Sequence, residues 1–178
     1  MPEALLKLGQ PEKGTNMTNE ERAQKINSYG KAYETLVEAL KQFPKEMWQF
    51  KPSDGWSIHE IVVHIADSEA NSFVRCRRLI AEPGSQVLGY DENVWAKALK
   101  YTEQSTDDAL ELFKWLRLAS YKLIKDLPDS AWSSKVHHSE SGWITFDDWL
   151  DTYERHIPDH VAQMRRCYEE WRGGNRDG

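Results

Sequence analysis

Apolar side chains recur at helical spacing in four long segments of this chain, and that pattern constrains the fold more than any other feature. The segments are predicted as helices over residues 19–42, 58–81, 106–127 and 145–172. Within each, apolar residues return every three or four positions, so one face of the helix can be buried against its neighbours. Four such helices with long crossover connections predict an all-α four-helix bundle.

Capping signals set the bounds of these helices. Thr18 with Glu21, and Ser57 with Glu60, form capping boxes, in which side chain and backbone satisfy free amide donors of the first turn. Prolines follow the first three helices, at Pro44, Pro83 and Pro128. We therefore predict one domain over residues 18–172, with tails over 1–17 and 173–178.

The two long connections carry weaker signals. Residues 85–105 are predicted to hold a short helix around Asp91 to Leu99. Residues 128–144 are rich in Ser, His and Gly and are predicted to form a loop or a small hairpin. No other sheet is expected.

The charge balance excludes some classes of partner. A net charge of −6 argues against a nucleic-acid-binding surface. No apolar run approaches the ~20 residues that span a bilayer, so no membrane partner is expected. The first residues lack the features of a secretory signal, which predicts a cytoplasmic protein whose Cys76 and Cys167 are reduced. Exposed aromatic residues in the crossovers make a homodimer an expectation as well.

Arginines cluster late in two of the predicted helices. They stand at Arg75, Arg77, Arg78, Arg165 and Arg166. Cations near a helix C-terminus interact favourably with the helix dipole. We prefer this interpretation to an anion-binding site.

The histidines are the residues whose spacing indicates chemistry. His156 and His160 are four residues apart, which places them roughly 40° apart around a helix and one turn along it. Two imidazoles at this spacing can bind one ion, as in helical zinc motifs. His64, at the edge of the apolar face of the second helix, could supply a third nitrogen. Each of these histidines could equally be a hydrogen-bonded core residue.

The other three histidines fit such a site less well. His59 is five residues from His64, so the two rings lie roughly 140° apart around the helix and do not easily share an ion. His137 and His138 stand on a predicted loop and are expected at the surface, although a loop over the mouth of the bundle could bring one of them near the site.

Several segments resemble the DinB-like four-helix bundles, and among them the YfiT-like branch, whose members are known as metal-dependent hydrolases. The segments are Gly55 to Ser57, Val63 to Glu69, Asn71-Ser72, Tyr90 to Glu92 with Trp95, and Tyr153 to His160. The resemblance extends from the first to the fourth helix. It implies that His64, His156 and His160 bind one divalent transition metal, nickel or zinc, near one end of the bundle. Pro158 departs from the family pattern and predicts a bend in the fourth helix, since proline removes one helical amide.

Two enzyme classes follow from such a site, both acting on a small molecule. A dication with three neutral ligands keeps its charge, so it can lower the pKa of water or stabilise a thiolate. Because no general base is evident from spacing, we place a thiol S-transferase using a low-molecular-weight thiol ahead of a hydrolase. For a hydrolase, Asp67, Glu69 or Asp159 could assist. A non-catalytic metal-binding or stress-related bundle is the third alternative.

Overall fold

The computed structural model describes residues 17–174, and the predicted tails lie almost entirely outside them. The helices are α1 (Asn19–Gly30), α2 (Ala32–Leu40), α3 (Ile58–Ala81), α4 (Glu92–Ala98), α5 (Thr106–Ile124) and α6 (Phe146–Gly174), and the strands are β1 (Gln86–Val87), β2 (Lys135–His138) and β3 (Gly142–Thr145). The predicted four-helix bundle is confirmed: α1 and α2 together, α3, α5 and α6 pack around one core. Among these helices, none is both long and apolar enough to cross a membrane.

The capping boxes are formed as the sequence predicts. Thr18 and Glu21 at α1, and Ser57 and Glu60 at α3, each exchange side-chain and backbone hydrogen bonds. The short helix α4 begins after Asp91, whose carboxylate accepts from the amide of Val94. Each such cap contributes about 0.5–2 kcal/mol.

The first bundle helix is not continuous, in contrast to the prediction. It is interrupted at Lys31, where φ is −93° and ψ is 3°. The amide of Lys31 is shared between the carbonyls of Asn27 and Ser28, which tightens the turn. Gly30 beside it allows the Tyr121 ring of α5 to approach closely, because a Cβ at that position would lie 2.7 Å from the ring. The break thus coincides with a glycine, a poor helix former, and with close packing against α5.

The prediction of no sheet beyond a hairpin is also wrong. β2 and β3 form the predicted hairpin, and β1 joins it in parallel to make a three-stranded sheet. The amide of His137 donates to the carbonyl of Ser85, and that of Ser139 to Val87. Two residues are too few to show the alternation by which a strand is recognised. The sheet fixes the crossover before α4 against the connection before α6.

The bundle core has two apolar clusters, and a buried polar layer lies between them along the helices. One cluster includes buried apolar residues from 58–66 of α3 and 157–167 of α6. The other includes Cys76 and Leu79 of α3 and buried apolar residues from 146–153 of α6. The buried residues between them on α3, α5 and α6 are polar: Ser68, Glu69, Ser72, Arg117, Ser120 and His156. Buried polar groups are costly unless they are paired or bind a ligand.

Candidate metal centre

Three histidines converge at the edge of this polar layer. His64 lies on α3, and His156 and His160 lie one turn apart on α6. Each offers a ring nitrogen, and the three nitrogens lie within 4.8 Å of one another. The Nε2 atoms of His156 and His160 are 3.1 Å apart. Two ligands of a tetrahedral ion bound at ~2.1 Å are about 3.4 Å apart, so this separation fits a shared ion.

Burial keeps all three imidazoles neutral. The side chains of His64 and His156 are completely buried and that of His160 nearly so. Burial lowers the pKa of His64 and of His156 well below the usual value, with repulsion between the rings adding to it. Burial likewise lowers the pKa of His160, to about 4. Neutral imidazole is the form that binds metal.

The hydrogen bonds leave these nitrogens free to act as ligands. Nδ1 of His160 donates to Oε1 of Gln163 at 2.9 Å, which leaves the lone pair of His160 on Nε2, facing His156. Both ring nitrogens of His64 and Nδ1 of His156 are buried without a hydrogen-bond partner among the described residues. An unpartnered buried polar atom costs about 1–3 kcal/mol. The residues therefore fit a divalent transition ion, and Gln163 orients one ligand as outer-shell groups commonly do.

The surroundings hold the rings in place. Trp56 packs on His64 with ring centroids 4.7 Å apart, and the Tyr153 ring is 6.1 Å from that of His156. The helix α6 continues through Pro158, which carries no amide hydrogen. The close approach of His156 and His160 shows that the proline does not splay the two rings. The bend that the sequence predicts there stays a prediction.

A carboxylate that the sequence analysis did not single out as a site residue stands beside the histidines. Oε1 of Glu92, in the first turn of α4, lies 4.0 Å from Nε2 of His64. Burial raises the pKa of Glu92 to about 7; Asp91 adds to the rise and Arg75 opposes it. The Glu92 side chain retains 34% exposure, so it can exchange protons with solvent or a bound molecule. Only the tertiary position of α4 reveals it, although Tyr90 to Glu92 already contributed to the family resemblance.

Two of the three carboxylates proposed from sequence, Glu69 and Asp67, bind other side chains. Glu69 is fully buried in an ion pair with Arg117 and also accepts from the hydroxyl of Tyr29. Asp67 accepts a hydrogen bond of 2.6 Å from the hydroxyl of Tyr101. Asp159 is half-buried and stays close enough to His160 to raise its pKa slightly against the effect of burial. Glu69 and Asp67 are thus engaged in the structure, while Glu92 is nearest to the histidines.

The remaining three histidines lie outside the candidate metal centre. His59 is buried on the other side of α3. Its Nε2 lies 2.9 Å from the backbone carbonyl of Tyr101, and its Nδ1 lies 3.1 Å from the side-chain amide nitrogen of Gln49. It is a hydrogen-bonded core residue outside the histidine cluster, and its angle to His64 predicted that it would not join that cluster. His137 is partly buried on β2. His138, expected at the surface, is instead buried, because the three-stranded sheet folds it against α3.

The fold and the three histidines together define a class of helical bundle with a candidate transition-metal site between two of its long helices. The chain belongs to the DinB superfamily, whose sequence profile matches residues 29–164. This confirms the family that the sequence resembles.

Individual relatives with similar sequences carry the name of metal-dependent hydrolases. A protein of Oceanobacillus iheyensis named "Putative metal-dependent hydrolase" is 29% identical over 112 residues, which cover 63% of this chain and 64% of that one. YfiT of Bacillus subtilis, with the same designation, is 26% identical over 111 residues, 62% of each chain. These alignments span a little under two thirds of the relatives' own length.

The fold agrees with a solved structure. The structure of YfiT from Bacillus subtilis, described as "a probable metal-dependent hydrolase with an unusual four-helix bundle topology", matches with a TM-score of 0.78. The match covers 88% of this chain and 90% of that one at 22% sequence identity. At this identity the match establishes the shared fold.

Proposed function

We propose that this protein is a metal-dependent hydrolase of a small molecule. The observation that carries the proposal is the convergence of His64, His156 and His160 with the carboxylate of Glu92 4.0 Å from His64. The relatives named as metal-dependent hydrolases support it. This reverses the order of the two enzyme classes favoured from sequence, because that order depended on the lack of a general base.

The three histidines would hold one ion, for which nickel and zinc are the expected identities. Three imidazoles suit zinc, nickel and copper better than the oxygen-preferring magnesium or calcium. Such an ion lowers the pKa of water to about 7 and polarises a carbonyl or phosphoryl oxygen. All three ligands are neutral, so its positive charge would not be compensated by the ligands themselves.

Glu92 would move the proton. A general base is most effective when its pKa lies near the working pH, and burial raises the pKa of Glu92 to about 7 without the ion, so that the carboxylate remains basic even when the charge of a bound dication would lower that value. Oε1 of the ionised carboxylate would accept a proton from the attacking water. The protonated carboxyl would then donate that proton to the leaving group. A fully exposed glutamate, with an ordinary pKa near 4.3, would be a weaker base.

A second candidate, thiol S-transfer, is favoured by the neutral ligand set. An uncompensated dication stabilises an anionic thiolate, and a thiol with a pKa of about 8.5 needs less help from a base than water does. The low-molecular-weight thiol would then be the second small-molecule partner. Glu92 distinguishes the two reactions, because water requires the base more than the thiol does.

The experiment compares both reactions on one metal-loaded protein without a His tag. Aryl ester and amide substrates are supplied without thiol, and a chlorinated bimane is supplied with bacillithiol, glutathione or cysteine. We expect ester or amide turnover that His156→Ala and His160→Ala abolish together with the bound metal. His59→Gln is the matched control, since it removes a buried histidine outside the site and should leave metal content unchanged.

Two other outcomes of these assays would contradict the hydrolase proposal. Conjugation of bimane that rises with one thiol, and vanishes in His64→Ala, would replace hydrolysis by thiol transfer. No turnover in either assay by a protein that retains metal would contradict an enzymatic role and favour metal binding alone.

A further inference from the structure

Three hydrogen-bond donors from separate elements lie in one neighbourhood, where the segment after β1 passes α3 and β2. They are the guanidinium of Arg75 on α3, the hydroxyl of Tyr90 before α4, and the imidazole of His138 on β2. Burial raises the pKa of Tyr90 and lowers that of His138, and the positive charge of nearby Arg75 opposes the rise for Tyr90 and adds to the fall for His138. The function proposed above does not use any of them.

Arg75 forms no direct ion pair among the described residues, although its charge is felt by Glu92. Its guanidinium donates to the hydroxyl of Tyr153 at 2.7 Å and to the carbonyl of Leu88 at 2.6 Å, and both acceptors are neutral. Within residues 17–174 no carboxylate forms an ion pair with it, whereas the buried Arg22 and Arg117 are each paired with an acid. The helix-dipole interpretation of Arg75 does not explain this placement.

His138 presents a donor of fixed orientation. Its Nδ1 accepts from the backbone amides of Glu140 and Ser141, at 3.2 and 3.3 Å. The proton of the neutral ring is therefore on Nε2. Burial and the nearby Arg75 lower the pKa of His138, so that this neutral tautomer dominates near pH 7.

Tyr90 adds a buried hydroxyl that makes no hydrogen bond of standard geometry among the described residues, although the Ser68 hydroxyl is close enough to lower its pKa. Its ring packs on Trp95, with centroids 4.4 Å apart, which fixes the direction of the hydroxyl. The sheet brings Tyr90 and His138 together, because the amide of Gly89 donates to the hydroxyl of Ser139 at 2.8 Å. A buried hydroxyl without a standard hydrogen bond is free to bond to a ligand or a water molecule.

The position of the group suits one end of a small substrate. Arg75 follows His64 by eleven residues on α3, which is roughly 20° around the helix and ~16 Å along it. Its side chain leans back towards the N-terminus, as helical side chains do, and reaches Tyr153, three residues before His156. The separation from the histidines is therefore on the order of 10 Å, or about two helical turns.

We propose that Arg75, Tyr90 and His138 form a subsite for an anionic group of the substrate, a carboxylate or a phosphate. A guanidinium binds both groups through two parallel hydrogen bonds, and the neutral imidazole and phenol add one donor each. The inference rests on the proposed function only in calling the ligand a substrate. It assigns that substrate to acidic small molecules.

The binding test uses the full chain, both metal-loaded and chelator-treated, so that anions bound by the ion itself can be separated. Acetate, inorganic phosphate and the neutral control acetamide are titrated while NMR follows the Nε2–H group of His138. We expect saturable shifts with acetate or phosphate and none with acetamide. Arg75→Gln should weaken anion binding at least tenfold. Arg78→Gln, which removes an exposed arginine paired with Glu82 on the same helix, should have no effect.

The kinetic test compares a neutral ester, 4-nitrophenyl acetate, with the anionic mono-4-nitrophenyl glutarate. Arg75→Gln should raise KM at least tenfold for the anionic ester and change the neutral one less than twofold. Tyr90→Phe, which removes one hydroxyl, should act in the same direction more weakly and serves if Arg75→Gln does not fold.

The outcomes separate the two proposals. Anion binding that depends on Arg75, without hydrolysis of either ester, would support the subsite and contradict the hydrolase. Hydrolysis of both esters that Arg75→Gln affects equally, with unchanged anion binding, would overturn the subsite and leave the hydrolase.

Discussion

Burial shifts the pKa values of individual side chains in the candidate centre in opposite directions. The pKa values of His64, His156 and His160 fall, which keeps the ligands neutral, and that of Glu92 rises to about 7. Burial penalises the charged form of each group, so it lowers the pKa of a base and raises that of an acid. Ligands ready for metal and a carboxyl group ready for proton transfer thus arise from one environment.

The role of Glu92 can be tested by replacing its carboxylate with an amide. Glu92→Gln should lower kcat for hydrolysis about 10²–10⁴-fold, since the amide cannot accept the proton. Metal content should stay at the wild-type level. Glu103→Gln, an exposed glutamate in the same crossover, is the control and should keep full activity. A Glu92→Gln protein with wild-type kcat would remove Glu92 from the mechanism.

The buried histidines also predict how stability depends on pH in metal-free protein. In the folded state the pKa of His160 is about 4, below its value of about 6.5 in the unfolded chain. Between these values the unfolded chain binds more protons, so the free energy of unfolding rises with pH. The free energy of unfolding therefore decreases as the pH falls below about 6.5, by up to ~1.4 kcal/mol per pH unit for each such histidine.

Denaturant titrations of chelator-treated protein between pH 6 and 5 measure this slope. His160→Gln should reduce the slope by close to one proton relative to wild type. Equal slopes in the two proteins would mean that His160 is not held neutral in the folded state.

At the level of elements, α6 combines both helical ligands with a proline between them. Pro158 lies at the surface of α6, and its missing amide leaves the Glu154 carbonyl without its usual helical donor. Pro158→Ala should therefore raise the free energy of unfolding by roughly 1–3 kcal/mol, measured by chemical denaturation. Because His156 and His160 are already close together, metal affinity should change less than threefold. A tenfold loss would show that the proline is needed to aim the ligands.

Elements with a periodic pattern could be predicted from the sequence, and the others could not. The capping boxes and apolar stripes located the bundle helices, and the spacing of His156 and His160 identified a face of α6 that could bind metal. The strand β1 is two residues long and depends on a partner about fifty positions away. Glu92 and Arg75 have ordinary sequence surroundings, and only the packing of the crossover and the sheet against α3 gives them their positions.

At the level of the whole molecule, the polar layer joins the helices through one buried ion pair. Arg117 on α5 contacts Glu69 on α3 at 2.6 Å and donates to the backbone carbonyls of Tyr29 and Tyr153. Its guanidinium also lies 3.9 Å from the centroid of the Tyr29 ring. One side chain thus connects α1, α3, α5 and α6 in the layer that contains His156.

Removal of one partner of this pair should be strongly destabilising. Arg117→Met should lower the free energy of unfolding by about 3–5 kcal/mol, because Glu69 is left as an unpaired buried carboxylate. The double variant Glu69→Met with Arg117→Met should recover a large part of that loss. Additive effects of the two single changes in a double-mutant cycle would show that the residues do not act as a pair.

The partners of the whole protein stay predictions. A homodimer would be detected by sedimentation, and the exposed apolar residues Leu112 and Trp115 on α5 offer a surface for it. That the protein has no nucleic-acid or membrane partner stays a prediction from charge and hydropathy alone.

The central claim is that His64, His156 and His160 bind one divalent transition metal. It is tested most directly by X-ray absorption spectroscopy and metal analysis of untagged protein purified without added metal. The prediction is about one equivalent of ion with three imidazole nitrogens at ~2.0–2.1 Å, lost in His156→Ala while the helical content remains. Metal retained at wild-type level by that variant, or an ion surrounded by oxygen atoms alone, would contradict the assignment.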